Sequence, residues 1–490
     1  MIKNERQYRI TKTEVEKFRA SLEKWDATPP SGVDPIIHAA QKAAIESQLH
    51  DLQREVSEYD ELRSGQTHVL EVASFEDLPD ALVRARIALG LSQKELGERL
   101  GLKEQQIQRY EATGYSGASL ARTTEVVNAL GVRIRKEVFL PSAPNARKTM
   151  LQGLKQVGFD REFIESRLLG GGRSLGKNKD SPEGDTLVFQ AAERASRILG
   201  VSPSALLDPD PLSGNRLLAA TRFRVPAGAS EQRLTAYTFY AHYLALLLLD
   251  ATTHLPTKPI PTDPAEVRSA MLEQYGKVDF NSAIRFIWDH GIPVLPLDDP
   301  GTFFGACWRA GGRNVIALKR RTPLFARWLQ LALHEFRHAG EEPDSPEFSL
   351  VETTETPDVR RDSKEEKRAN RFAAEVVLDG RAEELVKQCV EETRPKGRTH
   401  ESGQIELLKQ VVPKVAAKAG VPADSLAEYL AYRLTQQGLN WWGPATNLQE
   451  RGGSPWRVAR DIALQRVDFS RLNPIDRDLL VLAFTEKERE

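Results

Sequence analysis

The sequence predicts a mainly α, multidomain protein: a helical arm and bundles of short helices, followed by an α+β domain with a small sheet. Three observations predict it. At 490 residues the chain is too long for a single core, so several domains are expected. Its N-terminal part is dense in Glu, Lys, Arg, Leu and Ala with apolar positions at helical spacing. Further on, three short strand-type runs precede one strongly amphipathic helix.

Composition narrows the class. With 40% hydrophobic and 28% charged residues and a mean hydropathy of −0.44, the chain reads as a soluble globular protein. A formal net charge of −1 gives no global pull toward nucleic acid, so any such surface must be local. Cys307 and Cys389 are the only cysteines, which excludes a disulfide scaffold and fits a reducing compartment. The polar start "MIKNERQYRITK" is not a secretory signal. The most apolar run, "LTAYTFYAHYLALLLLD" at 234–250, falls short of the roughly 20 residues of a bilayer span and carries Thr, Tyr and His. It reads as a core helix, and the expected location is cytoplasmic with no membrane partner.

The arm spans 1–70. Pro29, Pro30 and Gly32 separate two helices, the second with Ile37, Ala40, Ala44, Leu49, Leu52 and Val56 at helical spacing. Such a hairpin suits homodimerisation or partner contact, and equally a solvated arm folded on its own chain.

From 77 to 132 four short helices can be placed, at 79–87, 93–100, 104–111 and 119–130. Ser92 with Glu95 makes a capping box, Gly101 the turn, and Leu96, Leu100, Leu102, Ile107 and Val126 one small core. The strings "GLSQKELGERLGL", "IQRYE" and "LARTTEVVNALGV" resemble the Cro/repressor-type (XRE) helix-turn-helix domains. The resemblance implies that the helix after Lys103 enters the major groove of operator DNA. It would present Lys103, Gln105, Gln106, Gln108 and Arg109, with Gln93 on a phosphate or the first base; Gln suits adenine and Arg guanine or phosphate. The same glutamines also suit a domain that keeps the fold and binds a protein.

A weak repeat follows: "QVGFDREFIESRLLG" (156–170) and "AERASRILGV" (192–201) echo the first copy. In between, "GGGRSLGKNKDSPEGD" would destroy a recognition helix. Residues 141–215 are therefore expected as a degenerate second helix-turn-helix-like bundle with a flexible loop at 170–186, and 216–270 as linking helices.

Strands are expected at 292–297, 305–310 and 314–318, then a helix at 323–338 carrying "HEFRH". His334 and His338, at i and i+4, leave one helix face and can reach one Zn²⁺ at about 2.0–2.1 Å. Glu335 stands where its carboxylate could take a proton from a bound water. The apolar approach "RWLQLAL" places both imidazoles in a buried stretch, where they need partners. Downstream, Glu366, Ala369, Asn370 and Ala373 share a helix face whose small residues permit close approach. Glu366 is the expected third ligand, with Glu365 in its place if the phase slips by one, and Asn370 a supporting hydrogen-bond partner.

"HEFRH" together with "EKRANRFAAE" resembles the ImmA/IrrE zinc metallopeptidases, over about 275–435. The resemblance implies a zincin-like α+β domain, His334, His338 and Glu366 as zinc ligands, and Glu335 as general base. Two positions depart from that family: Phe336-Arg337 replaces a glycine-containing pair, and "LDG" at 378–380 stands for methionine-proline. Tyr429, Tyr432 and Arg433 are candidate oxyanion donors. Cys307 is a possible switch ligand on zinc or a buried structural cysteine. The tryptophan-rich 439–456 is a peptide-binding lip or core, within a C-terminal extension at 437–490 that follows a peptidase domain at 271–436.

Together these imply a DNA-binding regulator fused to a zinc endopeptidase that cleaves a regulator, or itself, in a stress, mobile-element or phage-defence response. "NERQYRITKTEVEKF" resembles the arm of HigA-type antitoxins, which implies an alternative: an autorepressor that neutralises a toxin partner by binding, with the metal domain as sensor or scaffold. In a third reading the helix-turn-helix serves a peptidase only for dimerisation.

Overall fold

A computed structural model describes residues 1–27, 35–65, 70, 72, 75–134, 146–156, 158–169, 182–201, 231–299, 303–319, 322–353, 364–393, 401–449 and 452–486. They fall into two compact units, Met1–Val138 and Phe139–Glu490. The architecture is mainly helical with one small mixed sheet. Among the described residues no helix is long and apolar enough to cross a membrane.

In the first unit, α1 (Glu5–Ala27) and α2 (Pro35–Arg63) form the hairpin, and α3 (Leu78–Ala88), α4 (Gln93–Leu100), α5 (Glu104–Ala112) and α6 (Leu120–Leu130) form the bundle. The local signals act as read. Ser92 and Glu95 close their capping box, and Gly101 takes the left-handed conformation (φ 66°) that ends α4 and turns the chain into α5. Leu96, Ile107 and Val126 are fully buried, with Leu100 and Leu102 packed at the margin.

The arm is not separate from this bundle: Ile2, Tyr59 and Leu62 belong to the same core. Beneath them lies a buried ion pair that helical periodicity does not disclose. Arg86 of α3 donates from Nε to Glu111 Oε1 (2.6 Å) and from Nη2 to Oε2 (2.8 Å), and Gln93 Nε2 donates to the same carboxylate (2.7 Å). Arg86 also donates to the Leu91 and Lys3 carbonyls, and Lys3 Nζ donates to the Glu111 carbonyl at 2.5 Å. The residues just ahead of α1 are thus tied to α3, α4 and α5 through one charged knot. Because both ions are buried, losing one leaves the other without compensation. Glu111→Ala is expected to destabilise this unit by about 3–5 kcal/mol. Urea unfolding followed by circular dichroism measures this; a loss below about 1 kcal/mol would remove the knot from the account.

In the second unit, α7 (Ala146–Gln156), α8 (Arg161–Phe163, continued as a π-type segment Ile164–Leu169) and α9 (Pro182–Leu199) pack with α10 (Glu231–Asp250). The region expected as a second bundle shares one contiguous core with the sheet rather than standing alone. Buried Arg167 carries this join: its Nε donates to Asp299 at the end of the first strand (2.5 Å), and Tyr237 Oη donates to the other Asp299 oxygen (2.8 Å). Of the loop expected at 170–186, 170–181 lies outside the described residues, and Pro182 already begins α9.

After α11 (Pro264–Tyr275) and α12 (Phe280–Asp289) come β1 (Val294–Leu297), β2 (Phe303–Ala310), β3 (Arg313–Lys319), α13 (Phe325–Ala339) and β4 (Phe348–Thr353). The strand order is β1-β3-β2-β4, parallel for β1/β3 and antiparallel elsewhere. β4 was not expected; it adds to the β2 edge with Cys307 opposite Leu350. β1 is buried at successive residues, as in a strand covered on both faces. Along β2 the alternation is clear: Trp308 meets His242 of α10, while Gly305 lies against α13. The helices expected as linkers are therefore core elements of this unit. α14 (Lys364–Val377) then packs on α13. A second helical cluster follows: α15 (Ala382–Thr393), α16 (Glu401–Ala419), α17 (Ala423–Thr435) and α18 (Trp442–Asn447).

The C-terminal stretch is core as well. Trp441 and Trp456 are buried, and Trp456 Nε1 donates to the Pro296 carbonyl (3.3 Å). Of the two readings offered for the tryptophans, packing accounts for these. α19 (Pro455–Arg466) and α20 (Pro474–Phe484) supply Ile462, Leu479 and Leu480 to the same core as the sheet.

Candidate metal centre and nucleic-acid interface

α13 forms because its apolar positions face the sheet and α12, and it carries His334 and His338 one turn apart on its buried side. α14 comes close because Ala369 and Ala373, both fully buried, leave room at the contact. Gln330 Nε2 fixes the spacing by donating to the Asn370 carbonyl (3.0 Å). Arg327, one turn earlier, is held by Glu428 of α17 (2.9 Å) and lies over the Trp442 ring (5.4 Å).

This packing gathers His334, His338 and Glu366, all buried, with one ligand atom from each within 4.8 Å of the others. The imidazole Nε2 atoms lie 3.0 Å apart, and Glu366 Oε2 is 3.3 Å from His334 Nε2. Tetrahedral ligands at 2.0–2.1 Å from one ion stand about 3.3 Å apart, so the N₂O donor set fits a metal such as zinc. Glu365, the fallback position, does not join the cluster. Asn370 does assist, but its Nδ2 donates to the Glu366 main-chain carbonyl (2.9 Å) and not to the carboxylate.

Electrostatics ties the three side chains into one hydrogen-bonded cluster, in which a metal would displace the proton held on His338. Burial opposes charge on His338, yet hydrogen bonds with Glu341 and Glu366 outweigh it and raise its pKa to about 9. Burial likewise opposes the Glu366 carboxylate, but the two imidazoles hold it well below the usual range. Glu335 is fully buried, with its carboxylate against Gly305 of β2.

Three contributors escaped the sequence reading. Glu341 Oε2 lies 3.2 Å from His338 Nδ1, the carboxylate-on-imidazole contact that fixes a ligating tautomer. It falls just past the end of α13, where helical phase no longer guides a reading, although its place three residues after His338 was a usable signal. Arg309, almost fully buried on β2, donates from Nη2 to the Ala339 (2.9 Å) and Glu341 (2.8 Å) carbonyls and so caps the end of α13. Gly305 lies two pairs further along the same face of β2. A Cβ there would stand 2.1 Å from Glu335 Oε1 and 3.0 Å from Leu331 Cδ1, so only glycine admits the carboxylate.

Other candidates are placed elsewhere. Cys307 is fully buried on β2 but outside the donor cluster, and burial, with the Glu335 charge second, pushes its thiol well above the ordinary pKa. Full burial outside the donor cluster favours the structural cysteine over the switch ligand. Tyr429 Oη donates to Glu383 (2.6 Å), Arg433 pairs with the same carboxylate (3.1 Å), and Tyr432 accepts from Gln436 (2.8 Å).

In the first unit, Lys103, Gln105, Gln106, Gln108 and Arg109 are all exposed on α5 around buried Ile107. Gln106 Oε1 caps the helix by accepting from the Lys103 amide (3.1 Å), and Gln108 donates to Glu104 (2.9 Å). Gln105 and Arg109 stand one turn apart on the open face. Gln93 departs from expectation: it is buried on Glu111 and lies 3.4 Å from Asn4 Nδ2, so it is held inside the knot and not offered to a phosphate.

No curated protein and no solved structure matches the chain. Residues 82–136 match the helix-turn-helix family model, which covers α4, α5 and α6 and supports a DNA-binding regulator.

Proposed function

We propose that this DNA-binding regulator carries a zinc-dependent endopeptidase in its second unit, as the resemblance to ImmA/IrrE peptidases implies. The observation that carries the reading is the buried His334–His338–Glu366 cluster with Glu335 beside it. Bound there, zinc would acidify a water and polarise a peptide carbonyl. The chain's own groups do the rest. Glu366 and the two imidazoles would hold the ion, and Glu341 on Nδ1 would leave Nε2 of His338 as its ligating nitrogen once the proton there is displaced. Glu335 accepts the proton of the attacking water and returns it to the leaving amine. Gly305 and the Arg309 cap set where that carboxylate sits along β2.

The partners that follow are double-stranded operator DNA, read through Gln105 and Arg109, and a protein substrate, which includes the chain itself. Cleavage would then couple a signal to release from DNA. One observation favours a second reading: Glu335 and His338 have no exposed surface. A site closed in this way suits a metal domain kept as sensor or scaffold, in a HigA-like antitoxin acting by binding a toxin. Replacing Glu335 by Gln and assaying both peptide cleavage and toxin protection separates the two, since only a peptidase then loses its function.

A further inference from the structure

The match to the helix-turn-helix model begins at residue 82, so α1 lies outside it. Yet α1 lines a cleft of ≈1140 Å³ together with Ser92, Glu104 and Gln108 at the starts of α4 and α5. Lys3, just ahead of α1, lines it with Glu5, Arg6 and Arg9 of α1 and with Arg63 of α2, which pairs with Glu5. Basic groups outnumber carboxylates along it, in a chain of formal charge −1. Arg6 is exposed with no side-chain partner among the described residues, and Arg9 is 77% exposed, at 3.8 Å from Glu5.

We propose that this cleft seats the sugar-phosphate backbone of the duplex that α5 reads, with Arg6 and Arg9 as phosphate contacts. The inference rests on the DNA-binding reading and extends it to α1. Gln93, the residue expected to grip a phosphate, is locked onto Glu111, and Asn4, the residue just ahead of α1, donates to it. The locked position and these exposed arginines lie on one cleft, so the backbone grip moves from α4 to α1. The Lys3 contacts to α3 and α5 hold α1 rigidly in register with the reading helix. Contacts of this kind position the duplex and carry no base preference.

The test uses the full chain, a duplex selected on it from a random library, and a mixed-sequence duplex of equal length. Arg6→Gln with Arg9→Gln keeps helix propensity and removes two cations. Each lost phosphate contact lowers the slope of log K against log salt by about 0.9, so the double variant should lose nearly two. Its binding to both duplexes should weaken by roughly thirtyfold at 0.15 M salt. Gln105→Ala should instead narrow the difference between the duplexes. Arg19→Gln, on exposed α1 surface away from the cleft, should change neither quantity. An unchanged slope in the double variant overturns the assignment, as does an equal effect from Arg19→Gln. Tighter binding by the double variant would make α1 an obstruction and overturn it too. A wild-type chain that binds neither duplex refutes the DNA-binding reading itself, a result distinct from these.

Discussion

Glu335→Gln is expected to abolish peptide cleavage, by roughly 10²–10⁴-fold, while metal content and folding stay as in the wild type. The amide keeps the size of the carboxylate and its place against Gly305, but cannot accept a proton. The three side chains of the candidate donor cluster do not include Glu335, so a bound ion should be retained. The assay compares both chains on a quenched-fluorescent peptide library and on their own self-cleavage over time. Equal rates would remove the peptidase and leave the binding reading in its place.

Gly305→Ala carries the second largest effect, and it acts through a residue that touches no donor atom of the cluster. An added methyl would sit 2.1 Å from Glu335 Oε1, well inside contact distance, with Leu331 Cδ1 at 3.0 Å blocking the other side. β2 is paired on both edges at this position, to Leu318 and to Glu352, so the strand yields less readily than the carboxylate. Glu335 must therefore shift, and displacement by about 1 Å at a reacting group costs on the order of 10²-fold in rate. The fall should appear in kcat with zinc content unchanged. Full activity in Gly305→Ala would mean that Glu335 works from another position.

Much of this architecture was legible because it is written in local signals. Capping at Ser92 and Ser119, the turn at Gly101 and the spacing of Leu96, Ile107 and Val126 act within a few residues, and the four short helices appear where those signals put them. The His334–His338 pair and the small-residue face of α14 follow from helical phase alone. What escaped was long-range. Lys3 meets Glu111, Arg167 meets Asp299, and Arg309 reaches the end of α13, each across a span that no periodicity encodes. Gly305 illustrates the limit: within its strand it reads as an ordinary weak point, and its meaning appears only once α13 is packed beneath it. The same holds for α19 and α20, whose apolar faces look like an appendage until the sheet they cover is in place.

The central claim is that His334, His338 and Glu366 form one metal centre, and metal analysis of the purified chain tests it most directly. After dialysis against metal-free buffer, the wild type should retain about one zinc per chain, and His334→Ala and Glu366→Ala should retain almost none while keeping their helical spectrum. A folded wild type without bound zinc, or the same zinc content in all three proteins, would contradict the account.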